Sequence, residues 1–183
     1  MQRDLAIGSK IMVIGCSGSG KSTLARKLAK QLKIIDIDLD SLYWQANWTP
    51  SEPDKFRSEV NHAIKSSPSW VIHGGYHQVK DLTWGNADTV IFLDYSRAVV
   101  MWRVIKRSIA RAINKEVLWN GNTETMVKNF LSKDSIILWA WNSYAIRKSQ
   151  FNQFIADPKY KHIKLLQFKR SADLERFLAD FLP

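Results

Sequence analysis

Residues 10–23 read Lys10-Ile11-Met12-Val13-Ile14-Gly15-Cys16-Ser17-Gly18-Ser19-Gly20-Lys21-Ser22-Thr23, and this stretch decides the fold. A short aliphatic run ends at a glycine, and small residues follow. Leu24, Ala25, Leu28, Ala29 and Leu32 then recur at helical spacing as far as Lys33. The pattern predicts strand, loop and helix in succession. Gly15 to Ser22 matches G-x-x-x-x-G-K-[ST] in the context that makes this motif a phosphate-binding loop, a buried strand before it and an amphipathic helix after it. Glycines let successive backbone N–H groups converge on one concavity, and the helix N-terminus adds its partial positive charge. The candidate nucleotide contacts are therefore Gly15, Ser17, Gly18, Ser19, Gly20, Lys21, Ser22 and Thr23. Lys21 is expected at the β- and γ-phosphates of ATP, the Ser22 hydroxyl on Mg²⁺, and Thr23 at the α-phosphate. Cys16 reads as a small residue at a tolerant position.

Outward from the loop, apolar runs and helical patterns alternate. Ile34 to Ile37, Trp70 to Ile72, Thr89 to Leu93 and His162 to Phe168 read as further strands. Helices are expected from Ser51-Glu52-Pro53-Asp54, with Ser51 as a cap, to about Lys65, then over Ala98 to Ile113, Lys133 to Lys148 and Ala172 to Phe181. Trp119-Asn120-Gly121-Asn122 is a turn. Such alternation predicts an α/β fold, an open parallel sheet with helices on both faces, whose ligands bind beyond the carboxyl ends of the strands. The whole chain, 1–183, reads as one domain, with an acceptor-binding insertion at about 38–66 and a basic helical lid at about 107–148.

Composition bounds the function. The single cysteine excludes a disulfide framework and a thiolate metal cluster and suits a reducing cytoplasm. No apolar run approaches the roughly eighteen residues of a membrane span, and none resembles an export signal. The formal net charge is +10. Residues 97–150 hold 10 Lys+Arg against 3 Asp+Glu, so most of the excess lies in one segment. That segment suits either nucleic acid or the phosphates of a small molecule.

The only Asn-Lys, Asn114-Lys115-Glu116-Val117, lacks the aspartate of a guanine-specific N-K-x-D site, and the chain leaves little room for the coupling elements of a motor. Phosphoryl transfer to a small acceptor fits best. Asp38 and Asp40 are expected on one side of an extended segment, Asp38 toward a Mg²⁺-bound water and Asp40 toward an acceptor hydroxyl. Tyr43, Trp44 and Trp48 follow, either to stack on an acceptor ring or to pack in the core. Gly74, Gly75 and Arg147 complete the candidate acceptor contacts. Arg103, Arg107 and Arg111 fall four residues apart on one helix face, an arrangement that an anion would relieve. Arg103 and Arg107 are the candidate catalytic clamps beside Lys21 and Asp40.

The loop with Lys21, Leu39-Asp40-x-Leu42-Tyr43-Trp44 with Trp48, Trp70-Val71-Ile72-x-Gly74, Ala87 to Asp94 and Trp119-Asn120-Gly121-Asn122-x-Glu124 together resemble the adenylate-kinase-related proteins often called DNA topology modulation proteins. The resemblance spans about residues 10–182. It implies a five-stranded parallel sheet and a mobile lid, as in nucleoside monophosphate, shikimate and gluconate kinases. Arg103-Val104-Ile105-Lys106-Arg107 looks like the lid arginine pair of adenylate kinases, and Asp38-x-Asp40 is similar to the acceptor site of shikimate kinases. The chain departs from the family pattern at His73-Gly74-Gly75-Tyr76, where Asp-Gly-Asn-Tyr is usual, and at Thr123, where arginine is usual. The first departure removes a carboxylate near the metal. Asp38 then covers for it, or the chain binds nucleotide and transfers phosphate poorly. The family's name supplies a rival reading, a regulatory protein that grips nucleic acid through residues 97–150. No recognition motif for nucleic acid accompanies it.

Overall fold

The computed structural model describes residues 7–124 and 135–181. Five parallel strands form one sheet in the order β2-β3-β1-β4-β5: β1 Lys10–Gly15, β2 Ile35–Asp38, β3 Trp70–His73, β4 Thr89–Leu93 and β5 Lys164–Phe168. The helices are α1 Lys21–Leu32, α2 Leu39–Tyr43, α3 Pro53–Lys65, α4 Lys80–Asn86, α5 Arg97–Ile113, α6 Ile136–Ala156 and α7 Ser171–Phe181. Residues 125–134, part of the expected lid and the start of the helix expected from Lys133, lie outside the described residues.

The three central strands, β3, β1 and β4, are buried on both faces, while the edge strands β2 and β5 are only partly covered. Met12, Ile14, Trp70, Ile72, Val90 and Phe92 face α3, α4 and the end of α6, where Phe56, Val60, Trp84 and Phe151 cover them. Ile11, Val13, Val71, Ile91 and Leu93 face α1, α5 and α7 through Leu24, Leu28, Val100, Phe177 and Leu178. Register sets Val13 beside His73, His73 beside Asp38, and Gly15 beside Leu93. The carboxyl ends of β1, β2 and β3 therefore open on one crevice.

Two local expectations are corrected. Glu52, not Ser51, occupies the cap position of α3, and no side chain caps it; Ser51 is buried with an unpartnered hydroxyl. Its backbone N–H instead donates to the Tyr43 carbonyl at 2.7 Å, which turns the hydroxyl inward. Helix α6 runs eight residues beyond Lys148 because Phe151 and Phe154 still have a core to enter. The short helices α2 and α4 carry too few turns to show a helical period in the sequence.

Candidate active site

The glycine-rich loop from Cys16 to Gly20 joins β1 to α1. Gly20 caps α1 without a side-chain bond and no acidic residue enters the first turn, so the helix's opening N–H groups and positive end face the loop. Lys21 folds back and donates to the Cys16 carbonyl at 3.0 Å. Burial, with Arg147 and Arg107 nearby, pushes its ammonium down to about 8 against an opposing pull from Asp40. Two buried polar atoms at the loop, Ser19 Oγ and Arg107 Nε, have no hydrogen-bond partner. Unpartnered buried donors cost free energy, and an oxyanion is a group that would satisfy them.

Helix α5 lies against the loop. Gly18 has φ +81°, and a Cβ there would lie 2.5 Å from Val104 Cγ2 and 2.8 Å from the Val100 carbonyl, so only glycine lets the two backbones approach this closely. The approach brings Arg103 and Arg107 against the loop. Arg103 donates to the Ser19 carbonyl at 3.2 Å and to Ser171 Oγ at 2.7 Å, with its guanidinium 4.9 Å over the Tyr95 ring. Arg107 reaches Ser17 Oγ at 3.4 Å, and burial beside Arg111 lowers its pKa. The third arginine of the stripe needs no added anion, since Arg111 pairs with Glu124 at 2.8 Å and Glu116 at 3.5 Å.

The acceptor-side carboxylates do not share an extended segment. Asp38 ends β2 and caps α2, its Oδ1 accepting from the Asp40 N–H at 3.0 Å; Asp40 sits in the first helical turn. The cap reverses the chain at once, as a side-chain bond to the amide two residues on favours. Asp40 Oδ1 accepts from the Tyr76 hydroxyl at 2.5 Å, and burial together with that carboxylate raises the Tyr76 pKa strongly. Asp38 Oδ2 accepts from Trp119 Nε1 at 2.9 Å. His73 is buried between two carboxylates, 3.3 Å from Asp36 and 3.7 Å from Asp38.

The remaining candidates divide. Arg147 donates to the Gly75 carbonyl at 3.2 Å and lies 4.9 Å over the Trp139 ring, on the side of the loop where Asp40 and Tyr76 meet. Gly74 packs against Leu39: at φ +115° a Cβ there would sit 2.8 Å from Leu39 Cβ, which accounts for the glycine. Tyr43 belongs to the core, with ring centroids 5.2 Å from Phe56 and 4.3 Å from Tyr76, while Trp44 extends the cluster to Trp48. Sequence reasoning missed Tyr76 as a partner of Asp40 and Trp119 as a partner of Asp38. Both sat inside quoted motifs, but only the tertiary fold pairs residues 36 and 81 positions apart.

No family model matches the chain. An uncharacterized protein from Bacillus subtilis, YqaC, is 29% identical over 127 residues, 69% of this chain and 71% of the relative. A sugar kinase from Janibacter, solved without ligand, has the same fold at TM-score 0.52 and 15% identity, covering 92% of this chain and 91% of its own. An uncharacterized protein from Eubacterium ventriosum aligns at TM-score 0.46 and 14% identity over 96% of this chain and 98% of its own. The five-stranded parallel sheet fits a P-loop kinase fold.

Proposed function

We propose that this protein is an ATP-dependent phosphotransferase that moves the γ-phosphoryl group to a small acceptor, a nucleotide or another hydroxylated or anionic metabolite. The observation that carries the reading is the convergence of Lys21, Arg103 and Arg107 on one glycine loop, beside a carboxylate, Asp40, that hydrogen-bonds a tyrosine hydroxyl. Lys21, Arg103 and Arg107 offset charge on the transferred group, and the N–H groups of Gly18 to Thr23 cradle the phosphates. Asp40 orients the acceptor hydroxyl and accepts its proton as the bond to phosphorus forms. Arg147, anchored on Gly75, faces the acceptor.

The residues present fit Mg²⁺ as an ion carried in by nucleotide. Among the described residues no group of three or more His, Cys, Asp or Glu is placed to hold a metal. Ser22, with water and phosphate oxygens, suits an octahedral ion that keeps most of its own shell. Bound there, Mg²⁺ would neutralise charge on the nucleotide's phosphates. Asp38 stands at the carboxyl end of β2, the place for a contact through a metal-bound water.

The Janibacter neighbour is a sugar kinase, which agrees with this reading at the level of phosphoryl transfer. The direction of the basic side chains supports it over nucleic-acid gripping. Arg103 and Arg107 turn onto the loop, Arg111 and Lys148 are paired with acids, and only part of the segment's charge is left for an outer face. The test is calorimetric titration of the full chain with Mg·ATP, alone and as Lys21→Ala. Binding that weakens by roughly a hundredfold in the variant supports the account; equal affinity in both would sink it.

A further inference from the structure

The turn Trp119-Asn120-Gly121-Asn122 with Glu124, and the segment Trp44 to Trp48, carry the clearest unassigned pattern in the molecule. They are two turns of the same form. One closes with a bridge from Trp44 to Pro50 and holds Asn47 at φ 58°; the other closes from Val117 to Thr123 and holds Asn120 at φ 54°. The turns clasp each other. The Trp48 N–H donates to Asn122 Oδ1 at 2.8 Å, Asn122 Nδ2 to the Gln45 carbonyl at 2.8 Å, Asn120 Nδ2 to the Trp44 carbonyl at 2.6 Å, and Trp48 Nε1 to the Thr123 carbonyl at 3.3 Å. Edge-on ring contacts run from Trp44 through Trp48 to Trp119 at 5.7 and 6.3 Å.

Each end of the clasp touches the candidate active site. At one end Trp119 Nε1 holds Asp38, which caps α2 and so fixes the turn that presents Asp40 to Tyr76. At the other, Glu124 pairs with Arg111, one helical turn beyond Arg107, in a largely buried ion pair. Asp38 already accepts one hydrogen bond on each oxygen, so its carboxylate is oriented by protein donors on both sides.

We propose that Trp119 is a positioning residue of the acceptor site: its indole N–H holds Asp38, and the clasp ties the Asp38 to Asp40 turn to the helix that seats Arg107 on the phosphate loop. The proposal rests on the phosphotransferase reading for its consequence, but not for its geometry. Rigid placement of both halves of a transfer site is what the reaction demands, because misplacement by an ångström costs orders of magnitude in rate.

The test reads the indole N–H signals of the full-length, ¹⁵N-labelled protein, with Trp119 assigned by the signal that vanishes in Trp119→Phe. The proposal expects slow solvent exchange at Trp119, at least tenfold slower than at exposed Trp102. It also expects a clear shift of the Trp119 signal in Asp38→Ala and a smaller one in Glu124→Gln. A Trp119 N–H that exchanges as fast as Trp102, or ignores Asp38→Ala, overturns it. With an acceptor found by screening labelled ATP, Trp119→Phe should raise the acceptor KM tenfold or more and leave the KM for ATP within twofold. Equal changes in both constants, or no change in either, overturn the positioning role. If the wild type turns over no acceptor, the phosphotransferase reading fails, while the exchange and shift measurements still decide whether Trp119 holds Asp38.

Discussion

Lys21 has an ammonium that burial pushes down to about 8, from an ordinary value near 10.5. Phosphates bring negative charge, which favours the protonated form, so nucleotide binding takes up a proton when the solution lies above that value. ATP affinity is therefore expected to be flat below about pH 7.5 and to fall as pH rises through 8, by up to about tenfold per unit. Lys21→Met should flatten the profile, and an affinity constant from pH 7 to 9.5 in the wild type would refute the assignment. Tyr76→Phe removes the donor to Asp40 while keeping the ring against Tyr43 and Phe56. Loss of about 1 kcal/mol in urea unfolding is expected, with ATP affinity unchanged and acceptor turnover reduced about tenfold. The strand, glycine loop and helix of residues 10–32 were legible because their pattern is contiguous in sequence. Tyr76 and Trp119 were not, because a hydroxyl or indole gains its meaning from a partner that only the fold brings near.

At the scale of the element, the central strands β1, β3 and β4 were readable from apolar runs, and α1 and α5 from their spacing; β2 and β5, interrupted by Asp36 and Gln167, were weaker signals. The link between Asp38 and Asp40 was misread because a side-chain cap turns the chain into α2 within one residue, and a five-residue helix has no period to detect. The seating of α5 on the loop depends on Gly18. Gly18→Ala places a methyl within contact of Val104 and the Val100 carbonyl at a backbone angle L-residues avoid, and is expected to cost about 1–3 kcal/mol and to weaken ATP binding. Thermal unfolding and nucleotide titration check both effects. At the end of β3, His73→Asp would set a third carboxylate against Asp36 and Asp38. About 2–4 kcal/mol of destabilisation at neutral pH is expected from that buried repulsion. A variant as stable as the wild type would show that this strand end tolerates a third negative charge.

For the whole molecule, the net charge of +10 first suggested a nucleic-acid surface as readily as a phosphate site. The fold redirects much of it inward, through Lys21, Arg103, Arg107 and Arg147, and pairs Arg111 and Lys148 with acids. Duplex DNA at physiological salt is accordingly expected to bind no more tightly than the roughly 10⁻⁴ to 10⁻⁶ M of a sequence-independent contact, as a fluorescence titration would report. Among the described residues, the outer faces of α5 and α6 keep Trp102, Trp141 and Ile146 at least half exposed, and no helix is long and apolar enough to cross a membrane. Sequence alternation and the order of motifs were enough to foresee the parallel sheet; the direction of the charge needed the packing of α5 on the loop. The account's central claim is phosphoryl transfer, and its most direct test is a screen of nucleoside monophosphates, sugars and hydroxylated acids with γ-labelled ATP and Mg²⁺. Label moving to one acceptor class in the wild type and not in Lys21→Ala is the predicted result; Mg·ATP bound tightly but no label transferred to any acceptor would contradict it.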